Sequence, residues 1–244
     1  MRSSRLHRVT ALLAISALAS AMLLAAAAAP VAAGCTYTFP NDTGTHVLPA
    51  EFGPVEAGDV ICGGVGADVI GRMNGGTFNG GDGDDIVGGD LYGGTFNGGA
   101  GDDHVWSWMY GGTFNGGAGN DSIGYALLDG TFNGGPGNDS AGKDMTGGTF
   151  NGGPGRDGVL DQGGGTLYGG PGDDHVEWVG PDATFDGGPG AEWVFFLYGT
   201  FTAGPGDDHV ENLEAGSSFY GGAGTDTVTN YAGGACYSVV DCPR

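Results

Sequence analysis

The chain has 244 residues, 56 of them glycine, with 7 basic against 29 acidic residues and a formal charge of −22. Glycine at more than three times its usual ~7 % share leaves a collagen-like fibre, a low-complexity linker or a glycine-rich repeat. No G-x-y triplet runs on, and 12 Phe, 9 Tyr and 4 Trp are more apolar payload than a disordered tail carries, so a repeat architecture is the expectation.

In chain order, Arg2, Arg5 and Arg8 precede an unbroken apolar run from Ala11 to Ala29, closed by Val31-Ala32-Ala33. This is the pattern of a secretory signal peptide over residues 1–33, and a secreted, extracellular product is expected. No other apolar run approaches spanning length, so no membrane insertion is expected. Beyond residue 33 only Arg72, Lys143, Arg156 and Arg244 stand against the 29 acids, a formal −25 over 211 residues. That balance argues against nucleic acid as a partner and makes cations obligatory companions wherever the carboxylates crowd together.

All four cysteines lie in the exported part, at its two ends, as suits an oxidising compartment. The expected pairs are Cys35 with Cys62 and Cys236 with Cys242. A rival reading takes Ala32-Ala33-Gly34-Cys35 as a lipobox, which would anchor the protein through a lipid on Cys35 and leave Cys62 without a partner.

Between these ends the sequence repeats. GGTFNGG begins at Gly75, Gly93, Gly111 and Gly147, and DGTFNGG fits the same frame from Asp129, a period of 18. Degenerate copies follow from Gly164, Ala183, Gly199 and Ser218, with slips to 17 and 16 residues, and an eroded first copy starts at Val60. Ten units are expected between about residues 59 and 229, flanked by an N-terminal cap (34–58) and a C-terminal cap (230–244) that hide the strand edges. The first half of each unit follows G-G-x-G-x-D-x-U-x, with U apolar, as in GGDGDDIVG (80–88), GGAGDDHVW (98–106) and GGPGDDHVE (169–177).

On these nonapeptides the chain resembles the RTX, or haemolysin-type, calcium-binding repeat. The resemblance covers about 170 of the 211 exported residues. It implies an all-β parallel β-roll, or β-solenoid, of about ten 18-residue turns with Ca²⁺ held between successive loops. The residues give the same roll independently. Glycines permit a tight six-residue turn, and a short strand follows whose alternate side chains point inward. Ile70, Val87, Val105, Ile123, Ala141, Val159, Val176, Val194, Val210 and Val228 are expected to form one inward ladder. Phe78, Phe96, Phe114, Phe132, Phe150, Leu167, Phe185, Phe201 and Phe219 are expected to form a second, facing it, so that two sheets pack Val on Phe over ~48 Å.

Position six of the motif is filled by Asp68, Asp85, Asp103, Asp121, Asp139, Asp157, Asp174, Glu192, Asp208 and Asp226, which stacking should bring into one column. The nine aspartates are the expected metal ligands. Only carboxylate and carbonyl oxygens are available there, the donor set of a hard cation such as Ca²⁺. Glu192 lengthens the acid, Ala203 replaces a first glycine, and Ala67 and Arg156 replace the position-five acid, so roughly six to eight good sites are expected. Asp84, Asp102, Asp173 and Asp207 at position five are read either as supporting charges or as solvated acids. The second half of each unit lacks the acid, with Gly94 standing at the equivalent position, so calcium is expected along one edge only.

The remaining features are outward-facing. Thr77/Asn79, Thr95/Asn97, Thr113/Asn115, Thr131/Asn133 and Thr149/Asn151 should make an ordered polar face, open to reading as a plain hydrogen-bonded ladder or as a surface for ice or a polymer. Trp106, Trp108 and Tyr110, with Trp178, Trp193, Phe195 and Phe196, could bind a sugar or a partner, or simply cover the roll. His104, His175 and His209 fall in different turns and should not share a ligand. No nucleophile or acid-pair motif appears. The expected function is a non-enzymatic, secreted, calcium-dependent structural or surface-interaction module, with an ice- or polysaccharide-binding protein or a calcium-dependent adhesin as the alternative.

Overall fold

The computed structural model describes residues 35–49, 52–239 and 242. The expected signal peptide, the alanines of the lipobox and most of the last five residues lie outside them. The chain is an all-β solenoid of about eleven turns of ~18 residues, with every strand pair parallel and no α-helix among the described residues. Successive copies stack in register, as in Thr77↔Thr95, Phe78↔Phe96 and Asn79↔Asn97, then Thr95↔Thr113 and onward. A fixed period produces this directly. Each turn repeats the same residue types, so each strand finds on its neighbour the partner that its own inward and outward alternation requires.

The two expected inward ladders are present and fully buried. Phe96, Phe114, Phe132 and Phe150 lie 4.7 Å apart, centroid to centroid, with rings within 6° of parallel. The cross-section, however, is three-sided, which corrects the expectation of two facing sheets. A third ladder of Val55, Met73, Leu91, Met109, Leu127, Met145, Val179, Leu197 and Leu213 runs beside the other two, every member at 0 % exposure. Its strands are as short as Trp108–Met109 and Ala126–Leu127. Gln162 takes the place of an apolar residue where the repeat slips, and its Nε2 donates to the Thr184 carbonyl at 2.8 Å. A closed triangle of three apolar columns buries a continuous core from strands too short to be stable alone.

The segments expected as caps are stacked onto the roll. Tyr37–Thr38 pairs with Ile61–Cys62, His46–Val47 pairs with Asp68–Val69, and Val55 bridges Met73, so residues 36–56 complete an additional turn. At the other end Ala235–Tyr237 pairs with Ser218–Tyr220. Disulfides join Cys35 to Cys62 and Cys236 to Cys242, with Cα–Cα separations of 6.0 and 6.5 Å. The first ties the added turn to the body. A lipid on Cys35 would exclude that bond.

Candidate metal centre

The acidic column is built by the nonapeptide turn. All ten position-six carboxylates point into the solenoid, at 0–2 % exposure. Eight of them use one oxygen on the backbone of the turn before. Asp85 Oδ1 accepts the Asp68 N–H at 2.8 Å, Asp103 Oδ1 that of Asp85 at 2.8 Å, Asp121 Oδ1 that of Asp103 at 2.7 Å and Asp139 Oδ1 that of Asp121 at 2.7 Å. Asp157, Asp174, Asp208 and Asp226 continue the pattern on Asp139, Asp157, Glu192 and Asp208. These carboxylates therefore do structural work in every turn, which the sequence did not disclose.

The second oxygen of each is different. Oδ2 of all nine aspartates, and both oxygens of Glu192, are buried without a hydrogen-bond partner. Burying a polar atom unpaired costs roughly 1–3 kcal/mol and more for a charge, so ten in one line call for a compensating group. The surroundings narrow its nature. A Cβ added to Gly98 would meet Asp103 Oδ2 and stand 2.6 Å from the Gly116 carbonyl oxygen, and one added to Gly169 would meet Asp174 Oδ2 and stand 2.6 Å from the Gly187 carbonyl oxygen. In both turns the carboxylate oxygen packs against the glycine backbone with a main-chain carbonyl oxygen of the next turn close by, an approach that any side chain at the glycine would block. Two acceptors around one space suit a hard cation or a proton. Among the described residues no three His, Cys, Asp or Glu side chains converge on one point, so a cation here would rely on one or two carboxylates and the carbonyls.

Electrostatics point the same way. Burial pushes Asp85, Asp139, Asp157 and Asp174 up to about 7, Asp103 to about 8 and Asp121 to about 6. Asp68 and Asp226 are raised by the same cause. Glu192 is pushed up to about 10, by burial first and by the Asp208 carboxyl beside it. Its longer side chain breaks the backbone ladder, because neither of its oxygens takes the acceptor role that Asp174 plays for Asp157.

The column has an end that the sequence did not reveal. His46 stands in register with Asp68, and its Nδ1 lies 2.7 Å from Asp68 Oδ1, the atom that in later turns accepts a backbone N–H. Its Nε2 lies 3.1 Å from Asp42 Oδ1, and the Asp68 contact holds the imidazole above its ordinary value. A histidine side chain thus closes the column at the first turn.

Position five is exposed, as the solvated-acid reading expects, and also carries a backbone role. Asp84, Asp102, Asn120, Asn138, Asp173 and Asp207 form an outer ladder of the opposite sense, each accepting the N–H of the following turn, for example Asp102 Oδ1 from Asn120 at 2.7 Å. Asn serves there as well as Asp, so the position needs an acceptor and not a charge. On the opposite side, Gly94 takes a φ of 86°, and the turn closes without an acid.

The histidines remain apart. His104 Nδ1 contacts Ser122 Oγ, His209 contacts Thr227 and Glu211, and His175 stacks on Trp193 at 4.5 Å. The aromatic cluster lies outside the third ladder. Tyr92 stacks on Tyr110 at 4.7 Å and Trp108 parallels Tyr125, while Arg72 covers Tyr92 and Lys143 covers Tyr125. Two of the four basic side chains beyond residue 33 thus end aromatic stacks.

Comparison with protein-family models, with curated proteins and with solved structures finds no significant match.

Proposed function

We propose that this chain is a secreted, calcium-loaded β-solenoid that works as a rigid structural or surface-interaction module without a catalytic role. The observation that carries the reading is the column of buried, partnerless carboxylate oxygens, one aspartate per turn with Glu192 in the series, those of Asp68, Asp85, Asp103, Asp157 and Asp174 packed against a glycine beside a main-chain carbonyl of the next turn. Asp68, Asp85, Asp103, Asp121, Asp139, Asp157, Asp174, Asp208 and Asp226 hold the ions. Bound Ca²⁺ supplies the positive charge that lets these carboxylates stay ionised at neutral pH. The protein's part is to fix the oxygens: Oδ1 is anchored on a backbone N–H, or on His46 for Asp68, which leaves Oδ2 free of a protein partner. Export is supported by residues 1–33 and by the two disulfides. Equilibrium dialysis of the chain beginning at Gly34 against ⁴⁵Ca²⁺ tests the reading, with several ions per chain expected. Retention of none, with the strand circular dichroism intact, would refute it.

A further inference from the structure

Apart from the acidic column, one face of the roll carries a second ordered array. Thr77, Thr95, Thr113, Thr131, Thr149, Thr166, Thr184 and Thr200 form a single outward column, each in register with the next. None of these eight hydroxyls hydrogen-bonds to another described residue. Two residues along each strand, Asn79, Asn97, Asn115, Asn133 and Asn151 form a parallel column. From Asn97 onward each Nδ2 donates to the preceding Oδ1 at 2.6–2.8 Å, which fixes the amides in one orientation.

Three properties define what such a face can hold. It is neutral, because neither column has a charged residue from Thr77 to Asn151 in a chain of net charge −22. It is flat, because each Thr is preceded by glycine and each Asn followed by two, so no longer side chain stands beside the array. It is rigid, because the buried Phe between each Thr and Asn is stacked on its neighbours at 4.7–5.0 Å. The mesh is therefore 4.7–5.0 Å along the roll and ~6.6 Å across it. Tetrahedrally bonded water has second-neighbour oxygens at ~4.5 Å, from an O–H···O length of ~2.75 Å. Over the four intervals of the flat region the mismatch accumulates to ~1.1 Å, about two-fifths of one such bond.

We infer that the Thr/Asn face binds ordered water, and that its ligand is the surface of ice. Sugar polymers are the rival neutral lattice, but recognition of their ring faces calls for exposed aromatic planes, and over these five turns both columns contain none. The role requires the folded roll and does not depend on what fills the acidic column.

The test is thermal hysteresis and partition into a growing ice hemisphere, using the chain from Gly34 in calcium-containing and calcium-free buffer, with circular dichroism recorded in each. The expected result is a freezing-point gap and incorporation into ice whenever the strand signal is present. Thr113→Lys, which plants a charge mid-column, and Thr131→Tyr, which breaks the flatness by bulk, should each lose most of that gap with the strand signal kept. Trp106→Ala, on a different face, should keep it. Absence of both effects in the folded chain, undiminished activity in a folded Thr113→Lys or Thr131→Tyr protein, or retention on crystalline cellulose or chitin without any action on ice would overturn the inference.

Discussion

Removing calcium while raising the pH should unfold this protein, and the direction follows from the buried column. A carboxyl whose value is moved from 3.8 to about 7, as for Asp85, Asp139, Asp157 and Asp174, disfavours its charged form by ~4 kcal/mol at 1.36 kcal/mol per pH unit. Because folded values are raised, the stability these groups contribute is complete below about pH 4 and is lost as the pH climbs through about 6–8. At pH 7 each of the four opposes folding by ~4 kcal/mol relative to acid solution, so together they match or exceed the 5–15 kcal/mol stability of a typical domain. The assay is thermal unfolding by far-UV circular dichroism in metal-free buffers from about pH 4.5 to about pH 8.5, repeated with millimolar Ca²⁺. The melting temperature should fall steadily with pH in the metal-free series and stay level or rise with calcium. A metal-free melting temperature that is flat or increases over this range would refute the reasoning, since the column would then not be a set of uncompensated charges.

Three substitutions probe the parts separately. Asp121→Asn keeps the Oδ1 acceptor for the Asp103 N–H but removes the charge. It should raise metal-free stability at pH 8 by up to ~3 kcal/mol, from a value of about 6 against 3.8, while lowering the calcium count, as read by chemical denaturation and dialysis. Gly98→Ala places a methyl against Asp103 Oδ2 and the Gly116 carbonyl at a residue without a left-handed backbone, so it should cost at least one bound ion by calorimetry. Phe114→Ala empties a fully buried position between two stacked rings and should destabilise the roll by ~3–5 kcal/mol in denaturant melts, independently of calcium.

The period carried most of the fold. Val and Phe recur at fixed offsets with almost no variation, so both of those ladders and the acidic column could be placed from the sequence. The third ladder obeys the same 18-residue spacing, five residues before Phe78, Phe96, Phe114, Phe132 and Phe150. It was hidden because Met, Leu, Val and even Gln share the position, and because its glycine-rich surroundings read as turn. His46 lies outside the repeat, and only the added N-terminal turn brings it into register with Asp68. The position-five ladder was obscured for another reason: Asp drew attention as a charge, whereas Asn120 and Asn138 in the same column show that the backbone there asks only for an acceptor. The anchoring of eight column Oδ1 atoms on main-chain N–H groups belongs to three-dimensional packing between turns and has no signature in residue type.

The central claim is that the orphaned column oxygens hold calcium. Isothermal titration of the metal-free chain with Ca²⁺ at neutral pH, with circular dichroism on the same samples, addresses it most directly. The account predicts uptake of about six to eight ions per chain together with a gain of strand signal. No binding heat, with a strand signal already complete before the ion is added, would contradict it.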